Sequence, residues 1–308
     1  MFTTFNNRLP RIGILSHAVM PWEPCVPLAS TCHPPDVHAI SKLVLYRLGE
    51  RNHRHYAVSH NYTMLTPETC PLPLATIVPV AWTKIFLALS CSEHHPHLTH
   101  ILWVDADALF ARPAVKLEVQ MAPYLQNSSC SMILAVDKPK QRGTIEDDVN
   151  TGVWLMRVHD EVTSRTLLGL AALFIHNKRS RWSRFWEQDA LRFLLHNDSR
   201  LSAQTCILRG MQRNELQTIL SPDALIGRSM PPGHFIAHFS GGHPPFKPVA
   251  NAFVRMWMGR IGGVLLKAEW DREYASVLRA LRFARDQATN TSSTKQQAFA
   301  KLLLALAA

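Results

Sequence analysis

Ile101-Leu102-Trp103-Val104-Asp105-Ala106-Asp107-Ala108-Leu109-Phe110 decides how this chain is read. Four apolar residues, β-branched at both ends, predict a short buried strand. Two carboxylates one residue apart follow, where the strand leaves its sheet. In open α/β sheets, ligands bind beyond the carboxyl ends of the strands. Side chains at i and i+2 of an extended segment point the same way, so Asp105 and Asp107 are expected to face one ligand. Two like charges beside a buried strand need a positive partner. A hard divalent cation, Mg²⁺ or Mn²⁺, bridging to a diphosphate meets that need.

Outward from this stretch, strands and helices alternate. Apolar runs predict strands over 11–16, 56–59, 131–136, 149–158, 204–208 and 235–239. Helical spacing predicts helices over 37–48, 81–90, 161–175 and 184–195. Prolines make 21–35 and 67–79 loops. The alternation predicts a doubly wound α/β domain with a mixed, mostly parallel sheet, over residues 8–250. Helical spacing over 253–283, a Ser/Thr/Asn-rich linker at 287–295 and an apolar stub at the end predict a helical C-terminal extension over 251–308.

The bulk properties exclude several classes. The chain has 308 residues, 47% hydrophobic and 18% charged, with a formal net charge of +10. Its basic residues are scattered, with no dense Lys/Arg run, so nucleic acid is not expected as a partner. A diffuse positive field suits anionic donors or acidic membrane surfaces. No window reaches the roughly 18–20 consecutive apolar residues of a membrane span. The first twenty residues lack the apolar core of a signal peptide, which suggests a soluble protein or a chain that lacks its natural start. The six cysteines form no C-x-x-C pair, so zinc is not expected, while their even number allows disulfides. Asn-x-Ser/Thr sequons occur at Asn61, Asn127, Asn197 and Asn290, compatible with a secretory lumen.

Three further stretches carry candidate chemistry. In Asn150-Thr151-Gly152-Val153, a glycine permits close backbone approach to a ligand, and an amide can bond sugar hydroxyls. Glu187-Gln188-Asp189 opens a helix, where acids also simply suit the helix dipole. His238-Phe239-Ser240-Gly241 closes a short strand with an imidazole, a plausible third ligand for Mn²⁺. Each alone is equally a turn or a cap.

Taken together and in this order, the motifs resemble glycosyltransferases of the GT-A fold. The likeness is to family 34, the α-galactosyl-, α-xylosyl- and α-mannosyltransferases, with a sister similarity to family 8. Trp82-Thr83-Lys84 resembles the Trp-x-Lys of that family. Trp103-Val104-Asp105-Ala106-Asp107-Ala108 resembles its Asp-x-Asp motif, Asn150-Thr151-Gly152-Val153 its Asn-x-Gly-Val, and His238-Phe239-Ser240-Gly241 its His-Phe-Thr/Ser-Gly. The match runs over about residues 8 to 245.

The resemblance implies a nucleotide-diphospho-sugar transferase on a Rossmann-like domain. It implies transfer of a hexosyl or pentosyl unit from UDP-galactose, UDP-xylose or GDP-mannose to a glycan or glycoconjugate, with retention. Asp105, Asp107 and His238 would hold Mn²⁺ or Mg²⁺, with Asp105 also touching the donor ribose. Lys84 would approach the diphosphate or the donor sugar, and Ser16 the base or ribose. Asn150, Gly152 and Gly241 would adjoin the donor. Gln188, Asp189 and Asp148 are the catalytic candidates. Retention needs a nucleophilic carboxylate or same-face attack, and the sequence leaves both open. The family implies a Golgi membrane setting and polysaccharide biosynthesis, although no anchor is visible here. The loops at 21–35 and 94–100 read as insertions bearing on the acceptor. Homo- or hetero-oligomers are both compatible with the chain. The alternatives are a non-catalytic nucleotide-sugar- or glycan-binding homologue and an Asp-x-Asp phosphatase of haloacid-dehalogenase type.

Overall fold

A computed structural model describes residues 10–16, 37–72, 80–136, 149–176, 186–219 and 234–238. Contacts divide the chain into two compact units. The first comprises Met1–His17, Gly49–Leu220 and Gly227–Ser240 and holds the described residues of the site. Of the second, only 37–48 falls among the described residues. The expected extension over 251–308 and the loop over 21–35 lie outside them.

The main sheet has six strands in the order β2-β1-β3-β6-β5-β7. They are β1 (Ile12–Leu15), β2 (Thr63–Leu65), β3 (His100–Val104), β5 (Met132–Val136), β6 (Val149–Arg157) and β7 (Thr205–Leu208). Only β6 runs against its neighbours, so the sheet is mixed and mostly parallel, as expected. The strands read as apolar runs because both faces are covered. Alternation sorts their side chains into two cores. Leu15, Ile101, Trp103, Leu134 and Trp154 face the core of helices α2 (Val80–His94), α5 (Glu161–His176) and α6 (Trp186–Asn197). Ile14, Leu102, Val104, Ile133 and Leu155 face the other. That second core takes in the latter half of α1 (Val37–His60), the short helices α3 (Leu117–Gln120) and α8 (Arg213–Leu216), and a small second sheet. Helices α4 (Ala122–Leu125) and α7 (Ser199–Ala203) complete the described elements.

Two expectations need correction. Residues 56–59 are not a strand, because α1 runs on to His60. Tyr and Val favour strands weakly, and packing overrides them. Tyr56 is fully buried, stacked on Phe110 at 3.7 Å, with His53 one turn earlier on the same face. The second strand comes later, at Thr63–Leu65. Residues 94–100 are not a loop throughout either. His94 ends α2, His100 opens β3, and His95 bonds the Thr69 carbonyl oxygen across the short link.

The second sheet was not foreseen. It joins β4 (Ala108–Phe110), β9 (Ile236–His238) and β8 (Thr218–Ile219) in the order β4-β9-β8. β9 is antiparallel to β4, with Ala108 opposite His238. This pairing brings His238 to the Asp105–Asp107 turn across the sequence gap.

Disulfides Cys70–Cys91 and Cys130–Cys206 tie the loop after β2 to α2, and the approach to β5 to β7. The second closes the longer loop, with a sequence separation of 76. Loop-closure entropy then predicts that replacing Cys130 and Cys206 by Ser costs about 4 kcal/mol, against about 3 kcal/mol for Cys70 and Cys91. Denaturant unfolding of the two double variants checks both the size and the order. Midpoints equal to wild type would refute the prediction.

Candidate active site

The Asp-Ala-Asp segment leaves β3 as a turn, not as the extended continuation expected. The Ala108 N–H donates to the Asp105 carbonyl oxygen (2.9 Å), and the Asp105 N–H donates to Gly152 on β6 (2.7 Å). The turn packs against α1 at Gly49, where a Cβ would stand 2.0 Å from the Ala106 carbonyl oxygen. A mid-helix glycine costs about 1 kcal/mol relative to alanine, so its use here reflects this close approach.

Asp105 is held on two sides. The Trp103 indole N–H donates to Oδ1 (2.6 Å), and Lys84 Nζ lies 3.1 Å from the same oxygen. Lys84 itself is buried beneath the site. Its ammonium also meets Glu187 Oε1 (3.0 Å) and the Thr151 carbonyl oxygen (3.0 Å). An ammonium has three N–H donors, and these three acceptors use them. Burial opposes the charge on Lys84, but Asp105 and Glu187 outweigh it and hold the pKa above the usual lysine value. Burial pushes the Glu187 carboxyl up, against the pull of Lys84 and of the Thr151 hydroxyl, which donates to it at 2.8 Å.

His238 completes the cluster. One ligand atom from each of Asp105, Asp107 and His238 falls within 4.8 Å of the other two, a spacing able to hold a metal ion. Nε2 lies 3.4 Å from Asp107 Oδ1 and 3.9 Å from Asp105 Oδ2. On the far side of the ring, Nδ1 lies 3.1 Å from Gln217 Oε1, while Gln217 Nε2 donates to the Val153 carbonyl oxygen (3.3 Å). The amide orientation makes Nδ1 the donor and leaves Nε2 turned toward the carboxylates. A ring N–H committed to an outer partner is what orients a metal-ligating histidine. Burial lowers the His238 pKa, but the bond to Asp107 and the charge of both aspartates outweigh it, and the net direction is up. The site thus attracts positive charge at Nε2.

β6 brings its motif in through a bulge. Leu134 pairs with Trp154, but Ala135 pairs with Asn150, so Thr151, Gly152 and Val153 drop out of the β5 ladder. Bulges re-aim side chains beside active sites. Asn150 is buried, and its Oδ1 accepts from the Gly152 N–H (2.8 Å). A Cβ on Gly152 would stand 2.0 Å from His238 Cε1. Gly152→Ala is therefore expected to push the imidazole off the carboxylates and weaken cation binding by 10-fold or more, on the order of an outer-partner loss. Titration of Mn²⁺ by calorimetry tests this, and unchanged affinity would refute it.

On α6, the Gln188 Oε1 accepts from the Thr151 N–H at 3.4 Å, which sets Gln188 beside the motif. Asp189 points to Arg192, 3.4 Å away along its own helix. Ser16, at the end of β1, is buried against His53. His53 Nε2–H donates to the Ala108 carbonyl oxygen (2.6 Å), so Nδ1 accepts from the Ser16 hydroxyl (2.8 Å). Burial holds His53 neutral, lowering its pKa to about 4 despite the Ala108 bond and the charge of Asp107. Asp148 and Gly241 lie outside the described residues. Sequence reasoning assigns no part in the site to Glu187, Gln217, His53 or Gly49.

An Asp-x-Asp turn at the carboxyl end of a parallel strand, closed by a histidine from a second small sheet, sits here on the scaffold of a GT-A glycosyltransferase. The chain belongs to the galactosyl transferase GMA12/MNN10 family, whose pattern matches residues 31–245. It is similar in fold to the crystal structure of a glycosyltransferase involved in the glycosylation of the major capsid of PBCV-1. That likeness has a TM-score of 0.51 at 13% identity and covers 79% of this chain and 98% of the other. The galactosyltransferase LgtC, in complex with donor and acceptor sugar analogs, aligns at 12% identity with a TM-score of 0.38, over 79% of this chain and 96% of that one. No curated protein matches the chain. Family membership makes the protein a glycosyltransferase enzyme and sets aside the phosphatase reading. No helix among the described residues is long and apolar enough to cross a membrane.

Proposed function

We propose that this enzyme transfers a sugar from a nucleoside-diphosphate donor to a glycan or glycoconjugate acceptor, with retention, using a divalent cation held by Asp105, Asp107 and His238. The observation that carries the reading is the convergence of those three ligand groups within 4.8 Å, in a chain of this family. Two carboxylate oxygens and one imidazole nitrogen suit Mn²⁺ well and Mg²⁺ less well. When bound, the cation would neutralise charge developing on the leaving diphosphate.

The protein's own residues do the rest. Lys84, with its donors committed to Asp105, Glu187 and Thr151, fixes and neutralises the floor of the site rather than reaching the diphosphate directly. The Ser16 O–H donates its hydrogen bond to His53 Nδ1, so the Ser16 oxygen is left to accept from a ribose hydroxyl or a base N–H. Asn150 and Gly152 adjoin the donor sugar, and the absent Cβ of Gly152 makes room for the His238 imidazole. Gln188 is placed to steady positive charge on the transferred sugar, and Asp189 and Asp148 are the carboxylates available if retention proceeds through a covalent intermediate. The donor is UDP-galactose, UDP-xylose or GDP-mannose.

The test is donor hydrolysis and transfer across these three nucleotide sugars, each with Mn²⁺, Mg²⁺ or chelator. Release of the nucleoside diphosphate from one donor, dependent on cation and giving product of retained configuration, is expected. Turnover that persists in chelator would overturn the metal-dependent reading.

A further inference from the structure

Three of the chain's four sequons lie among the described residues: Asn61-Tyr62-Thr63, Asn127-Ser128-Ser129 and Asn197-Asp198-Ser199. All three asparagines are exposed. Each belongs to the link that feeds a parallel strand. Asn61 stands between α1 and β2, with a φ of 58°. Asn127 stands between α4 and β5, and Asn197 ends α6 ahead of α7 and β7. These are the amino ends of β2, β5 and β7, whereas Ser16 and Asp105 follow the carboxyl ends of β1 and β3. The antiparallel strand β6 confirms the polarity. It begins beside the site with Asn150 and ends at Arg157, whose guanidinium donates to the carbonyl oxygens of Ser128 (3.0 Å) and Asn127 (3.1 Å). The three sequons therefore collect along the edge of the sheet opposite the active site.

Local geometry suits a glycan at each. At Asn127, Oδ1 accepts from both the Ser129 hydroxyl (2.7 Å) and the Ser129 N–H (3.0 Å), so the amide and the sequon hydroxyl stand together. At Asn197, Nδ2 donates to the Phe193 carbonyl oxygen (2.7 Å), and a glycosylated amide nitrogen still carries one N–H for such a bond. Two of the few large apolar side chains left exposed, Val58 at 75% and Phe193 at 56%, lie about one helical turn before Asn61 and Asn197. A glycan there would screen them from contact with other molecules. Independently, the two disulfides require an oxidising compartment, the setting in which sequons are modified.

We propose that Asn61, Asn127 and Asn197 are N-glycosylation sites, so that the edge opposite the active site is sugar-coated and the site itself stays open. The donor is an oligosaccharide joined through a diphosphate to a membrane lipid. The Asn Nδ2 forms a bond to the anomeric carbon, the bond from that carbon to the diphosphate oxygen breaks, and the lipid diphosphate leaves with the electron pair as Nδ2 loses one proton. The proposal does not rest on the donor or metal of the transfer reaction.

The test uses the full chain, secreted from a eukaryotic host behind an added signal sequence. Amidase removal of N-glycans converts each glycosylated Asn to Asp, which peptide mass spectrometry reads on the unmutated protein. Conversion at Asn61, Asn127 and Asn197 is expected, with a gain in electrophoretic mobility. Asn61→Gln, Asn127→Gln and Asn197→Gln should each remove one step of that mobility change, and Ser199→Ala should copy Asn197→Gln with the asparagine intact. An unmodified peptide overturns the assignment of its position. Three unmodified peptides, or modification confined to Asn290, overturn the proposal.

Discussion

Asp107→Ala is expected to abolish cation binding and to lower donor turnover by roughly 10³ or more, the scale of losing a main charge-stabilising group. Among the described residues, Asp107 is one of two carboxylates within reach of His238 Nε2, at 3.4 Å. Without it, one oxygen of Asp105 and one nitrogen remain, too few to hold a hard cation against water. The fold should not suffer. The Asp107 side chain is about a quarter exposed, and its removal relieves repulsion with Asp105 while losing the bond to His238, two effects of opposite sign. Melting without cation should therefore stay close to wild type. Cation at 100 times its dissociation constant should stabilise the wild type by about 2.7 kcal/mol and the variant not at all. Asp107→Asn should behave alike, because an amide keeps the shape and loses the charge. The same site predicts a pH effect of definite sign. The aspartates raise the His238 pKa, so a binding cation must displace a proton from Nε2, and apparent affinity should increase with pH. A cation-dependent rise in melting temperature that survives in Asp107→Ala would sink the metal site.

The parts of this site that could be read in advance are those whose chemistry shows locally. Asp105 and Asp107 are visible because two acids after an apolar strand have few structural reasons to be there. Strand β3 is visible because both its faces are covered and its run is unbroken. His238 carries no local signal strong enough by itself among sixteen histidines. It stood out through its motif, and only the pairing of β9 with β4 explains how it arrives. Glu187 was hidden by its position. An acid in the first turn of a helix satisfies the dipole, so nothing in the sequence shows that it turns inward to Lys84. Gln217 and His53 act through hydrogen bonds to residues far along the chain, which no spacing encodes. Gly49 has the pattern of a helix breaker, yet the helix continues because the Asp105–Asp107 turn occupies the space of its missing Cβ. The strand expected at 56–59 failed for a related reason. β-branched and aromatic residues also serve a helix face packed on Phe110, and burial decided between the two.

Lys84→Met is expected to be the most destabilising single change in the site, at about 3–5 kcal/mol, the usual cost of breaking a buried ion pair from one side. The ammonium is the only cation that the described contacts place against both Asp105 and Glu187, and it is 5% exposed. Methionine fills a similar volume, so the loss comes from charge and hydrogen bonding rather than from a cavity. Glu187 is left buried with only the Thr151 hydroxyl, and burial already pushes its carboxyl toward the neutral form. Neutralising that residue should therefore repair the fold. In Lys84→Met/Glu187→Gln, most of the lost stability should return, with a coupling of about 3 kcal/mol in the double-mutant cycle. Activity should not return with it. Asp105 would keep the Trp103 N–H on Oδ1 but still lack the lysine on its other side, and a carboxylate held on one side only fixes its ligand oxygen less firmly. Stability and turnover should thus separate: the double variant melts near wild type and yet transfers sugar at least about 100-fold more slowly, as expected when a ligand's own support is removed. Denaturant unfolding and donor hydrolysis on the four proteins of the cycle measure both. Turnover restored together with stability would mean that Lys84 serves the fold alone, and that Asp105 needs no support from beneath to do its work.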